Sequence, residues 1–173
     1  MDFIEIAKKR YSVRSYQGKK VEEEKLHKIL KAAHVAPTAA NLQPVRLIAV
    51  QSSEGLGKIG KGANLYGAPL AIIVCADHSK AWVRPFDKKQ TGDIDASILT
   101  DHMMLQATEL GLGSVWICYF KPDVIRKEFG RRMIWNQSIS LQWGIQMRKR
   151  LTRSATHRSA SRWKNWFPMK QYK

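Results

Sequence analysis

The sequence has no acidic residue after Glu128. All 14 Asp and Glu precede that point, whereas residues 131–173 hold 11 of the 30 Lys and Arg and four of the six Trp. The formal charge of +16 thus comes from 19 cations against 14 acids before the break and 11 cations against none after it. Cysteine is scarce too. Cys75 and Cys118 both fall in apolar, strand-like runs, so buried free thiols in a reducing compartment are expected, not a disulfide or a metal pair. Long hydrophobic runs are missing: the stretch from Pro69 to Ala76 is far too short to cross a bilayer. Met1 leads into an acidic, helix-like start without the basic and apolar regions of a secretory signal, and the cytoplasm is the expected location. P-loop, dinucleotide fingerprint and nucleophile elbow are all absent.

The cation excess invites a nucleic-acid reading, because clustered Lys and Arg gain affinity by releasing counterions from phosphate. Zinc-ligand spacing, a basic zipper and an aromatic–basic RNA motif are lacking, and most of the excess lies in the C-terminal segment. The histidines give no metal site. His27, His34 and His78 have no partner at ligand spacing, and His102 reads as a satisfied helix residue.

What remains is an ordinary globular composition, 44% hydrophobic and 25% charged over 173 residues, enough for one domain with a real core. Asp2 is placed to cap a short helix that ends in Lys8, Lys9 and Arg10. A second helix is expected over 21–35, with Leu26, Ile29, Leu30 and Ala33 on one face. A polar loop between Pro37 and Pro44 then leads into a strand, 45–51, and a short helix over 53–62 follows. The run 70–76 reads as a strand buried on both faces. The strongest helical pattern runs from 93 to 110, nearly apolar all round and hence central. Gly111 and Gly113 stop it, and a strand over 114–120 and a helix from Pro122 to about Phe129 follow. Such alternation predicts an α/β (α+β) fold, a mixed sheet flanked by helices.

Three polar clusters sit on loops beside these elements. Lys9, Arg10, Ser12 and Arg14 bring two guanidiniums and a hydroxyl together just past a helix, which suits a phosphate; a solvated helix end is the plainer alternative. Thr38, Ala39, Asn41 and Gln43, bracketed by prolines, offer amides that could read a planar heterocycle, or simply turn the chain. Gly111 to Ser114 would let backbone approach a ligand, or simply stop a helix. None of these is an acid–base or nucleophilic constellation, so any chemistry would be carried by a bound cofactor.

In this order the pieces resemble the nitroreductase family of FMN-dependent oxidoreductases. The likeness rests on Lys9-Arg10-Tyr11-Ser12-Val13-Arg14-Ser15-Tyr16 and on Ala36-Pro37-Thr38-Ala39-Ala40-Asn41-Leu42-Gln43-Pro44. It continues through Tyr66-Gly67-Ala68-Pro69, Asp93-Ile94-Asp95-Ala96-Ser97 and Leu110-Gly111-Leu112-Gly113-Ser114-Val115-Trp116-Ile117. It covers residues 1 to about 130. The resemblance implies FMN held at a homodimer interface, with NAD(P)H as electron donor and nitroaromatics, quinones or related molecules as acceptors. It implies Arg10, Tyr11, Ser12 and Arg14 around the phosphate and ribityl chain, and Thr38, Ala39, Asn41 and Gln43 at ribityl and flavin. Gly113, Cys118 and Tyr119 would lie against the ring. A non-catalytic flavin-binding or interaction protein is the competing reading.

Beyond Glu128 the family pattern is lost from the printed residues but recoverable from their codons. Read from the third base of the Lys164 codon, the last ten residues permit Glu-Leu-Val-Ser-Tyr-Glu-Thr-Ile-stop, which is similar to a family C-terminus. The same shift permits Leu-Glu-Pro-Val-Asn from Ile134 onward. A frameshift near Gly130 explains the missing acids and the tryptophan excess together. The expected organisation is therefore a family-like FMN-binding domain over 1–130 and an atypical basic tail over 131–173. That tail would contain one strand, 138–147, followed by a mobile segment, with activity and dimer both weakened.

Overall fold

The protein's structure, a computed structural model, describes residues 2–130 and the backbone of 137–144. The elements in order are α1 (Phe3–Lys9), α2 (Glu23–His34), a short 3-10 turn (Ala39–Asn41), β1 (Val45–Val50), α3 (Ser53–Gly60), β2 (Leu70–Asp77), α4 (Gly92–Glu109), β3 (Ser114–Ile117), α5 (Pro122–Phe129) and β4 (Gln137–Gly144). The four strands lie in the order β1-β2-β4-β3, and each neighbouring pair is antiparallel. A single parallel bridge, Ser12 to Ser114, adds the segment after α1 to the outer side of β3.

Strand β2 explains why the core has two halves. Side chains alternate across a sheet, so Leu70, Ile72, Val74 and Ala76 meet one layer and Ala71, Ile73 and Cys75 the other. The first set packs with Ile29 and Ala33 of α2 and Ala96, Leu99, Met103 and Ala107 of α4. The second packs with Ile59 of α3 and Ile125 of α5, together with Val115 and Ile117 of β3. Every residue from Leu70 to Ala76 is buried, as the unbroken apolar run requires. Truncating one of them, Ile73→Ala for instance, would cost about 2–5 kcal/mol.

Three expectations need correction. Cys118 is exposed, not buried, because β3 stops at Ile117. Its ladder with β4 ends at the Ile117–Leu141 pair, so the chain leaves the sheet before the second thiol. Helix α4 is not apolar all round: Asp93, Ile94, Asp101 and Glu109 face outward, because the helix covers one side of a sheet instead of being enclosed. Asp2 stands at the start of α1 but caps through its carbonyl, which accepts from Ile6 N at 3.1 Å, and its side chain makes no cap bond. Within the sheet, β4 lies between β2 and β3. Of the strand expected over 138–147, β4 accounts for 138–144; residues 145–147 and the segment from 148 onward lie outside the described residues.

Candidate functional site

The Arg10–Arg14 segment is held in place by main chain and by one tyrosine. Val13 N donates to Ser114 O at 3.0 Å, which fixes the segment alongside the first residue of β3. The approach is close: a Cβ on Gly113 would stand 2.6 Å from Val13 Cγ2, so only glycine fits without displacing its neighbour. Tyr16 Oη donates to Val13 O at 2.9 Å and braces the turn from beneath, leaving Arg14 exposed at its tip. Burial, the larger cause, raises the Tyr16 pKa above the ordinary phenol value, so the hydroxyl stays a donor at all ordinary pH.

Arg10 closes α1 and Arg14 lies four residues on. Among the described residues no carboxylate pairs with either, in contrast to Arg84 with Asp87 and Arg126 with Asp123. Residues 131–173 contain no acidic side chain that could serve instead. Two unneutralised guanidiniums, the Ser12 hydroxyl and a glycine turn make a donor set that fits a phosphate. At the same turn Ser114 Oγ is buried without a partner among the described residues, as is Trp116 Nε1 two residues along β3. Such groups are costly to leave unmatched.

The 38–43 loop is a second construction. Ala40, Asn41 and Gln43 have φ of 49°, 54° and 49°, the left-handed region that side chains disfavour by about 1–2 kcal/mol each. Local hydrogen bonds hold this shape. Asn41 N donates to Thr38 O at 3.0 Å, and Gln43 N to Thr38 Oγ1 at 3.1 Å. Gln43 Nε2 donates to Asn41 Oδ1 at 3.1 Å, and Ala39 N donates to Asp95 Oδ1 of α4 at 2.9 Å. Asn41 and Gln43 are exposed, so their remaining amide groups can meet a ligand.

The two constructions do not meet within one chain. Asp95 anchors the loop in the first turns of α4, while Gly113 and Ser114 follow its last turn. Some 15 residues of helix separate the anchors, roughly 22 Å at 1.5 Å per residue. Cys118 and Tyr119, the other residues singled out, are exposed just beyond β3; Tyr119 is 96% accessible. Thr38 and Ala39 are half-buried, and Tyr11 is exposed. Two structural residues were not singled out from the sequence, Tyr16 and Asp95. Both lie inside the resemblance blocks, and an acid one helical turn into an apolar helix is the signal that could have found Asp95. His102 is a helix residue whose Nδ1 is 2.9 Å from Ile98 O. Among the described residues there is no cluster of potential metal ligands, and no helix is long and apolar enough to cross a membrane.

Comparison with known proteins agrees with this architecture. The sequence model of the nitroreductase family matches residues 7–61 and 58–141, continuing past the last acidic residue. A protein of Methanothermobacter thermautotrophicus carrying the name NADH dehydrogenase/NAD(P)H nitroreductase is 41% identical over 120 residues, 67% of this chain and 60% of that one. The chain spans about three fifths of the length of the curated relatives it matches first. A crystal structure of a nitroreductase family protein from Clostridium difficile 630 is 55% identical, with a TM-score of 0.86 and 92% of both chains covered. An FMN-dependent nitroreductase from Clostridium difficile R20291 is 32% identical, with a TM-score of 0.70 and 89% of this chain and 93% of that one covered. With the family model matched over well more than half its length, the chain belongs to the nitroreductase family.

Proposed function

We propose that this chain is an FMN-dependent oxidoreductase of the nitroreductase type, a cytoplasmic homodimer that uses NAD(P)H. The observation that carries the proposal is the Ser12–Ser114 bridge, which sets the Arg10–Arg14 segment beside the Gly113 turn, with neither arginine paired to a carboxylate among the described residues. FMN, when bound, would supply the chemistry, hydride transfer from NAD(P)H and electron delivery to nitroaromatic or quinone-like acceptors. The chain's residues bind and orient. Arg10, Ser12 and Arg14 hold the phosphate and neighbouring ribityl hydroxyls with charge-assisted bonds. Thr38, Ala39, Asn41 and Gln43 present amide and hydroxyl groups to ribityl and ring. Tyr11 stands beside the phosphate and ribityl chain, and Gly113, Cys118 and Tyr119 line the ring. No side chain is assigned as acid or base, because a flavin site needs positioning and electrostatics above all.

The separation of the two constructions along α4 supports a shared site. One copy's 10–14 segment and a second copy's 38–43 loop would then face one flavin. Phe3 and Ile4 of α1, Leu42 of the loop and Ile94 of α4 are exposed apolar residues, and a partner would cover them. Because residues 142–173 lie beyond the stretch that the family model matches, we expect turnover below that of an unaltered relative.

Flavin titration by fluorescence quenching tests the reading. Each charge-assisted bond lost costs about 1.5–3 kcal/mol, so an Arg10→Ala/Arg14→Ala variant should bind FMN at least a hundredfold more weakly. Wild-type and variant proteins that bind equally would sink the site. Oxidation of NADPH with a quinone present separates the enzyme from a non-catalytic flavin binder, which would consume none.

A further inference from the structure

Asp95 is the one carboxylate among the described residues that is almost wholly enclosed, at 1% exposure. It joins three segments. Its Oδ1 accepts from Ala39 N at 2.9 Å, its Oδ2 lies 3.3 Å from Thr91 Oγ1, and its own amide donates to Thr91 O at 2.9 Å. Thr91 in turn ties the root of the 82–90 hairpin, through Thr91 N to Trp82 O at 3.0 Å and Thr91 Oγ1 to Trp82 O at 3.3 Å. Three residues of the neighbouring loop, Ala40, Asn41 and Gln43, sit in the left-handed region. Strain of that kind persists only where the surroundings over-determine it.

We propose that Asp95 is the positioning residue of the flavin loop: its carboxylate pins Ala39 and thereby aims Asn41 and Gln43 at the cofactor. The Thr38–Gln43 and Gln43–Asn41 bonds lie inside the loop and move with it, so they shape it without placing it. The Ala39 amide is the bond that refers the loop to α4. An anionic acceptor makes that bond stronger than a neutral one would, and its two oxygens serve two donors at once. The function of the loop follows from the proposed FMN site, on which this inference rests; the mechanical role of Asp95 does not depend on it.

The geometry distinguishes variants. In Asp95→Asn, Oδ1 still accepts from Ala39, while Nδ2 donates to Thr91 Oγ1 and the hydroxyl proton goes to Trp82 O. In Asp95→Ala both bonds vanish. Hydrogen exchange of the flavin-free protein reads the loop directly, and FMN titration reads the consequence. Asp95→Ala should accelerate exchange at Ala39 and Asn41 at least about tenfold, with β2 amides unchanged, and weaken FMN roughly tenfold or more, the loss of one strong hydrogen bond. Asp95→Asn should stay within about threefold of wild type on both measures, since it keeps the geometry. Should Asp95→Ala fail to fold, Ala39→Pro deletes the donor of the same bond, leaves α4 intact and carries the same expectation at Asn41.

Unchanged loop exchange in Asp95→Ala overturns the inference. So does a loosened loop with unchanged FMN affinity in a protein that Arg14→Ala and Asn41→Ala weaken. An Asp95→Asn variant as impaired as Asp95→Ala also overturns it, because charge and not placement would then be the requirement. If neither Arg14→Ala nor Asn41→Ala alters FMN affinity, the site assignment fails, and loop exchange alone decides whether Asp95 places the loop.

Discussion

Replacing Gly113 by alanine probes the contact on which the phosphate half of the site depends. The new Cβ would lie 2.6 Å from Val13 Cγ2 and 3.3 Å from Val13 Cβ. Carbon atoms pack at about 3.5–4.0 Å, so one of the two segments must retreat by roughly 1 Å. Val13 cannot swing into solvent, because it is 7% exposed and its amide is committed to Ser114 O. Overpacking of this kind costs about 1–3 kcal/mol. Alanine recovers about 0.4–1 kcal/mol by restricting the unfolded chain, which leaves a net loss near 1–2 kcal/mol. For a domain of this size that is a fall in Tm of about 3–6 °C. The retreat also carries Ser12 and Arg14 away from the turn, and losing one charge-assisted bond weakens FMN about tenfold to a hundredfold. Thermal melts and flavin titrations of Gly113→Ala, Val13→Ala and the double variant form the assay. Val13→Ala removes the clashing methyl, so the pair should couple by about 1 kcal/mol or more in favour of the double variant. Additive stabilities with unchanged FMN affinity would refute the reasoning, and with it the claim that this glycine permits the approach.

Among the remaining predictions, a thiol reagent at neutral pH should modify Cys118 quickly and Cys75 only after unfolding, and two fast thiols in the native protein would contradict the fold. Burial pushes the Cys75 thiol up to about 11 from an ordinary 9.0. Its contribution to stability is therefore complete below pH 9 and fades as pH rises toward 11, by up to about 3 kcal/mol. Wild type should thus lose stability relative to Cys75→Ala across that window in chemical denaturation; parallel pH profiles would count against the assignment. Ser52 Oγ accepts from Gly55 N at 3.1 Å at the start of α3. Ser52→Ala should cost about 1 kcal/mol in the same assay, and no change would mean the cap is idle.

Much of the fold was legible because it rests on local pattern. The unbroken run of β2 announces burial on both faces, and Pro44, Gly111 and Pro122 punctuate the chain where elements begin or end. The site loops were legible as residue types in order. Less legible was anything set by a distant partner. Where β3 ends depends on β4, not on the apolar letters that continue through Cys118. The exposure of Ile94 depends on which side of α4 the sheet occupies. The left-handed turn at Ala40 is imposed by bonds to Thr38 and Asp95, since alanine itself has no preference for it. The burial of Asp95 is likewise a tertiary fact: its bond partner lies 56 residues upstream.

The strand order has a consequence for how the molecule is made. β4 is the last strand among the described residues yet lies inside the sheet, between β2 and β3. On a ribosome, β1 and β2 can pair as soon as both have emerged, but β2 then shows an open edge and β3 has no ladder to join. Open edges of apolar strands recruit other chains, and pairings so far apart in sequence form slowly. The segment 137–144 closes that edge, and it lies past the point where the acidic residues stop. Assembly of the Ser12–Ser114 bridge, and of the anion site built on it, therefore waits until residues 137–144 have been made.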